Sequence, residues 1–212
     1  MEVPPPPPPP VAVPEVKRRA GDEQDGNRYV RQSGEREETE LVELHSEGGL
    51  REAARQLLEE KWPKADEARE AQLQQSCAEL PLGLVLREKK GEKTVGFVML
   101  LRCVEEERGV IAESVVVAEQ ARGMGYGRVL MESMHAKARA LGFEQVYLCT
   151  RDKRDFYQHL GYTICPPVTP KTAAAQLVDS QAVDKLKGLF GGGNPTQSDY
   201  LWLKTSLPSS LM

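Results

Sequence analysis

Apolar residues change their spacing repeatedly from Thr39 onward, and each change predicts an element. Leu41-Val42-Glu43-Leu44 predicts a short first strand. After Gly48-Gly49, the residues Leu50, Ala53, Ala54, Leu57, Leu58 and Trp62 fall on one face of a helix, which Pro63 ends. Ala65 to Gln75 is rich in Ala, Glu, Gln and Arg and predicts a second, more exposed helix. Leu82 to Arg87 and Thr94 to Val104 predict a hairpin turning at Lys89-Lys90-Gly91-Glu92, followed by a strand over Val110 to Ala118. A Gly-rich turn then opens a helix from Tyr126 to Leu141. Its apolar stripe is Leu130, Met134, Ala138 and Leu141, and Gly142 is its stop. A buried strand (Gln145–Thr150), a short helix (Asp152–Leu160), a strand (Tyr162–Cys165) and a last strand (Tyr200–Thr205) complete the pattern. The long connection between the last two strands holds a predicted helix at Asp179–Phe190 and a break at Gly191-Gly192-Gly193-Asn194-Pro195. Strands and helices in this order predict an α/β fold, a central sheet with helices on both faces.

The chain before this point is different material. Pro4 to Pro10 are consecutive prolines, which lock φ and remove backbone donors, so a polyproline II rod is expected. The charged stretch from Lys17 to Glu38 has too few apolar residues to offset the entropy of ordering. The expected organisation is a proline-rich, charged, disordered tail over 1–38, a globular domain over 39–206 and a short C-terminal tail over 207–212.

Composition narrows the chemistry. The 212 residues are 40% hydrophobic and 28% charged, with a formal net charge of −4, which gives no global reason to expect nucleic acid binding. Cys77, Cys103, Cys149 and Cys165 form no C-x-x-C pair, and with only His45, His135 and His159 the spacing offers no metal site. No signal peptide follows Met1 and no apolar run is long enough to span a bilayer, so a cytoplasmic monomer is expected.

The chemistry concentrates at Arg122-Gly123-Met124-Gly125-Tyr126-Gly127-Arg128, between the strand Glu113-Ser114-Val115-Val116-Val117 and a helix. Closely spaced glycines let backbone N–H groups converge on an anion, and a helix N-terminus adds partial positive charge. The turn is therefore a candidate pyrophosphate cradle, with Arg122 and Arg128 beside it. G-x-x-x-x-G-K-[ST] is absent, and the third glycine comes one residue too early for G-x-G-x-x-G.

Arg-x-x-Gly-x-Gly resembles the signature of the GNAT acetyltransferase superfamily. So does Phe156-Tyr157-Gln158-His159-Leu160-Gly161-Tyr162, which is similar to that superfamily's closing helix. The resemblance implies a mixed, mostly antiparallel sheet flanked by helices. A splayed strand pair would form a slot for acetyl-CoA, the co-substrate, and no metal would be needed. It implies that Gly123, Met124, Gly125, Tyr126 and Gly127, with Arg122 and Arg128, hold the pyrophosphate, and that Val115 and Val117 bind the pantetheine arm through backbone. Val116 lies in the same strand, and a backbone N–H there would polarise the thioester. Lys153, after the other wall of the slot, joins the cofactor-binding set. Tyr157 would lie near the sulfur and return a proton to the leaving thiolate.

Lys61-Trp62-Pro63, the Glu113–Val117 strand, the Arg122–Met131 run and the Phe156–Tyr162 run also look like the actin N-terminal acetyltransferase family. That resemblance implies an acidic N-terminus as substrate, read by Trp62, Lys64 and Arg69 at the entrance, with Arg151, Lys153 and Arg154 on the other wall. It also implies profilin as a partner for Pro4–Pro10, against an SH3 or WW domain as alternative readers or a low-complexity tail with no reader. An α-amino group titrates at about 8 and a lysine ε-amine at about 10.4, so an N-terminus needs only a weak base. Glu113 is the first candidate base, with Asp152 and His159 as alternatives. The alternative functions are acetylation of another N-terminus, a lysine or a small amine, and a binding adaptor on an inactive fold.

Overall fold

A computed structural model of the protein describes residues 37–90, 92–171 and 200–208. The proline run, most of the expected tail and the predicted helix at Asp179–Phe190 lie outside these residues. Among the described residues the order is β1 (Thr39–Glu43), α1 (Leu50–Lys61), α2 (Asp66–Gln74), β2 (Leu82–Glu88), β3 (Thr94–Arg102) and β4 (Gly109–Val117). A 3₁₀ turn (Glu119–Ala121), α3 (Tyr126–Ala140), β5 (Gln145–Thr150), α4 (Arg154–Gln158), β6 (Thr163–Ile164) and β7 (Leu201–Ser206) follow.

All seven strands form one sheet in the order β1-β2-β3-β4-β5-β7-β6. Every neighbouring pair is antiparallel except β4 and β5, which are parallel. A parallel pair needs a crossover, and α3 supplies it. In β3 every residue from Val95 to Leu101 is buried, so both faces of the sheet centre are covered. The helices that pack most extensively on β3 are α1 and α3.

Local chemistry explains the boundaries. In α1 the buried stripe is Leu50, Ala54, Leu57 and Leu58. Trp62, expected on that stripe, falls outside the helix at φ −141° and ψ 84° and is 43% exposed. Pro63 causes this, because the residue before proline is driven out of the helical region. α2 is the more exposed helix, as expected, and buries only Arg69 and Leu73; that one of the two is a charged residue is not what its sequence predicts. α3 ends in a Schellman motif. The Gly142 N–H donates to the Arg139 carbonyl, the Phe143 N–H to the Ala138 carbonyl, and Gly142 takes φ +85°.

On α3, His135 Nε2 lies 2.7 Å from the Tyr162 hydroxyl. Burial is the main cause, with the Arg139 charge second, that pushes His135 down to about 4. Its folded pKa therefore lies below the unfolded value of about 6.5, so the neutral ring stabilises the fold above pH 6.5. That contribution is lost as pH falls through 6.5 towards 4, where the unfolded chain takes up the proton first. Allowing for partial exposure, about 2 kcal/mol is at stake. Urea unfolding at pH 7 and pH 4.5 should show His135→Gln, which still offers Tyr162 an acceptor, losing less stability on acidification than the wild type.

Candidate active site

The site begins where the parallel pair stops. β4 and β5 are in register from Gly109 opposite Gln145 to Ala112 opposite Leu148, and no further. Beyond that point Glu113–Val117 and the end of β5 separate into an open V, as the splayed strands of the sequence analysis require. On its other edge β4 stays paired to β3, but with a shift, Met99 opposing Glu113 and Phe97 opposing Val116. The extra residue is taken up at Ser114, which sits at φ +56°. A bulge of this kind bends the strand and turns its side chains. The backbone of Val115 to Val117 thus has no β5 partner along the slot. Those of its polar groups that do not pair with β3 need water, a side chain or a ligand. The Val117 carbonyl is met by Arg122 Nε at 3.3 Å, so that group is partly occupied.

The strand feeds the turn. Gly123 takes φ +79° and Gly125 φ +87°, the latter as the N-cap of α3. Both values lie in the left-handed region that side chains disfavour, which is why glycine stands at these positions. The first amides of α3 have no intrahelical acceptor and carry the positive end of the helix dipole. Space around Gly123 is open, with nothing within 4 Å of where a Cβ would lie. Arg122 and Arg128 are exposed, each in a loose ion pair at 3.6 Å, with Glu119 and Glu132 respectively. Such pairs exchange readily for a better anion. Backbone amides, a helix terminus and two exposed, loosely paired guanidinium groups fit a pyrophosphate. Met124 is at the exposed tip, whereas the Tyr126 side chain points inward, 1% exposed, and donates to Glu88 at 2.5 Å.

α4 closes on this turn. A Cβ on Gly127 would lie 3.3 Å from the Phe156 ring, so glycine here allows α4 to approach the start of α3. Tyr157, 7% exposed, packs edge-on against Phe156 at 5.1 Å and Tyr162 at 5.7 Å between centroids. Burial, then the charge of Asp152, raises its phenol to about 12. It stays protonated throughout the physiological range.

A second cleft opens beside Glu113. Trp62, Pro63, Lys64, Arg69, Gln72, Glu113 and Ser114 line it, enclosing about 170 Å³. Glu113 is open to solvent on one side. The protein around it nevertheless desolvates the carboxylate and raises its pKa, an effect that the Lys64 charge opposes. Lys64 has no carboxylate partner for its ammonium among the described residues. Arg69 differs from the free entrance cation expected of it. It is 3% exposed and its Nε bonds Glu59 at 2.9 Å. Of the alternative bases, Asp152 pairs with Lys153 at 3.0 Å and is held below the usual range by it. Lys153 and Asp152 form this pair at the surface, where both side chains are exposed. His159 is exposed, its Nδ1 2.6 Å from the Asp155 carbonyl oxygen. Gln72 and Ser114 are the cleft residues that sequence reasoning missed. No motif marks Gln72, and Ser114 stands in the Glu113–Val117 strand with no role assigned to it; Gln72 reaches the strand at the Ser114 hydroxyl, on the bulge.

Among the described residues no group of His, Cys, Asp and Glu could hold a metal, and no helix is long and apolar enough to cross a membrane.

Comparison with known proteins agrees with this geometry. The family model described as "Acetyltransferase (GNAT) family" matches residues 50–162. Mouse "N-alpha-acetyltransferase 80" is 38% identical over 124 residues, 56% of this chain. The chain spans only 40% of that relative's length. Among solved structures, aminoglycoside 6'-acetyltransferase type Ii superposes with TM-score 0.55 at 17% identity, covering 79% of this chain and 97% of that one. The ribosomal-protein-S18-alanine N-acetyltransferase of Escherichia coli gives 0.54 at 14% identity, covering 82% and 97%. N-acetylglutamate synthase of Neisseria gonorrhoeae, complexed with coenzyme A and N-acetyl-glutamate, gives 0.54 at 14% identity, covering 82% and 36%. At these identities the structures speak for the fold alone. With its splayed strands, its glycine turn and the family match over more than half its length, the chain belongs to the GNAT acetyltransferase family, whose members use acetyl-CoA.

Proposed function

We propose that this protein is an N-alpha-acetyltransferase whose acceptor is the acidic processed N-terminus of actin. The observation that carries the reading is the cleft beside Glu113, where a carboxylate of raised pKa and the ammonium of Lys64 face one small space beside the splayed strand. The 38% identity to mouse "N-alpha-acetyltransferase 80" supports an N-terminal amine as acceptor. Profilin as a partner of Pro4–Pro10 belongs to the same proposal, as does action in the cytoplasm.

When bound, acetyl-CoA supplies the acetyl group as an activated thioester. Gly123 to Arg128 would hold its pyrophosphate, and the backbone of Val115 to Val117 would line its arm. Glu113 takes the proton from the acceptor ammonium. Its raised pKa brings it closer to the amine's value of about 8, which lessens the cost of that transfer. Lys64 keeps the Glu113 carboxylate ionised and holds an acidic side chain of the acceptor nearby. Tyr157 keeps its proton at neutral pH and presents it as a hydrogen-bond donor. Full transfer from a phenol near 12 to a thiolate with a pKa of about 8.5 is uphill by roughly 5 kcal/mol. Tyr157 therefore acts by stabilising developing negative charge, and full transfer must be coupled to water or to product departure.

Three results are expected. With acetyl-CoA and paired peptides of equal length, one with an acidic and one with a neutral N-terminus, the acidic peptide should be acetylated preferentially; equal rates would overturn the actin reading. Tyr157→Phe should lower kcat roughly 100-fold while leaving CoA affinity, read by calorimetry, near wild type. The base must be ionised to work, so kcat/KM should fall as pH drops through the Glu113 pKa, and Glu113→Gln should remove that acid limb along with most of the rate.

A further inference from the structure

Arg69 is a buried charge in a helix whose neighbours mostly face solvent. Its guanidinium reaches three separate parts of the cleft wall. Nε donates to Glu59 Oε1 at 2.9 Å, one terminal nitrogen donates to Gln72 Oε1 at 2.8 Å, and the other donates to the Trp62 carbonyl. The second oxygen of Glu59 accepts the Lys64 backbone N–H at 3.1 Å. Gln72 in turn directs its amide to the Ser114 hydroxyl at 3.4 Å. Glu59 and Arg69 thus grip the loop between α1 and α2 at Trp62 and at Lys64. Through Gln72 the same guanidinium reaches the bulge residue next to Glu113. A buried charge held by a carboxylate, an amide and a carbonyl is satisfied by its own protein, and removing it strands its partners. Its pairing with Glu59 also cancels most of the field it would offer to an acidic acceptor.

We propose that Arg69 is a positioning residue of the acceptor site. It ties the Trp62–Lys64 wall to the β4 bulge, so that Glu113 and Lys64 keep a fixed separation across the cleft. It does not read the acceptor's negative charge, a task left to Lys64. This rests on the acceptor cleft as assigned above, but not on which N-terminus enters it.

The test compares Arg69→Lys, Arg69→Met and Glu59→Gln with wild type on one acidic and one neutral peptide, at 50 and 200 mM salt as chosen conditions (roughly the span over which surface charge effects are screened). A lysine keeps the charge but cannot make the three-way contact. Positioning predicts that Arg69→Lys and Arg69→Met both lose kcat/KM by about tenfold or more, on the neutral peptide as well as on the acidic one. Because Lys64 moves with the wall, any change in the acidic-to-neutral ratio should be the same in the two variants, and CoA affinity should be unchanged. Glu59→Gln should likewise lower kcat/KM on the neutral peptide. The acid limb of kcat/KM should shift to lower pH, because a loosened wall admits water to Glu113. If Arg69→Lys behaves as wild type while Arg69→Met loses only the acidic peptide, Arg69 reads charge and the proposal is overturned. A fall in melting temperature with unchanged kcat/KM and acid limb would overturn it too. Should Arg69→Met fail to fold, Arg69→Lys and Glu59→Gln decide the matter. A wild-type ratio of one would sink the acidic-acceptor reading alone and leave the loss on the neutral peptide as the test of positioning.

Discussion

Everything at this site depends on β4 leaving β5 after Ala112 while remaining attached to β3. A parallel pair that continued to Val117 would satisfy the backbone of Val115 to Val117 within the sheet and leave no room between the strands. The separation leaves hydrogen-bonding groups facing a slot, and buried groups of that kind must find partners. The bulge at Ser114 is the means by which β4 serves both neighbours. It absorbs one residue against β3 and turns the strand, so that Glu113 opens to one cleft and Val115–Val117 to another. Under the proposed function, one backbone distortion would place the acceptor side and the donor side of the transfer a few residues apart.

The two sides are held by different forces. The turn from Gly123 to Gly127 is built from backbone geometry, positive φ values and a helix terminus, and its contact with α4 depends on the absence of a side chain at Gly127. The acceptor wall is built from side chains on two short helices, with Arg69 and Glu59 bridging them. Apolar packing governs a third region, where Phe156, Tyr157, Tyr162 and His135 form a continuous aromatic contact. Burial there raises the phenols and lowers the imidazole, so these groups are neutral at pH 7 for the same reason.

These differences decide what could be read before the structure. Strands buried on both faces, such as Val95 to Leu101, carry continuous apolar runs, and the glycine turn carries its own spacing. Both are local in sequence, and both were legible. So was the exposure of His159 on the short closing helix. Arg69 was not legible as a buried residue, because its partner Glu59 stands ten positions earlier across a helix break. In sequence it is one more charge in a polar helix. Trp62 illustrates the same limit, since its spacing fits the stripe of α1 while Pro63, one residue on, removes it from the helix. Ser114 and Gln72 had no signal at all, because bulges follow from pairing between distant strands.

Charge in this protein is therefore best judged locally. With a net charge of −4 the molecule as a whole would repel an acidic peptide, if weakly, yet screening at physiological salt limits that repulsion to about 8 Å. Within that range of the cleft the balance depends on which cations are already matched. Arg69 is matched by Glu59, and Lys153 by Asp152. Lys64 faces Glu113 across the cleft, and in the reaction proposed above protonation of Glu113 by the acceptor amine would remove the charge that offsets it. The ammonium would then be freer to hold an acidic side chain at the moment when the amine has become a nucleophile. Coupling of that kind would tie recognition of the acceptor's charge to its activation through a single pair of residues, without requiring a large positive surface.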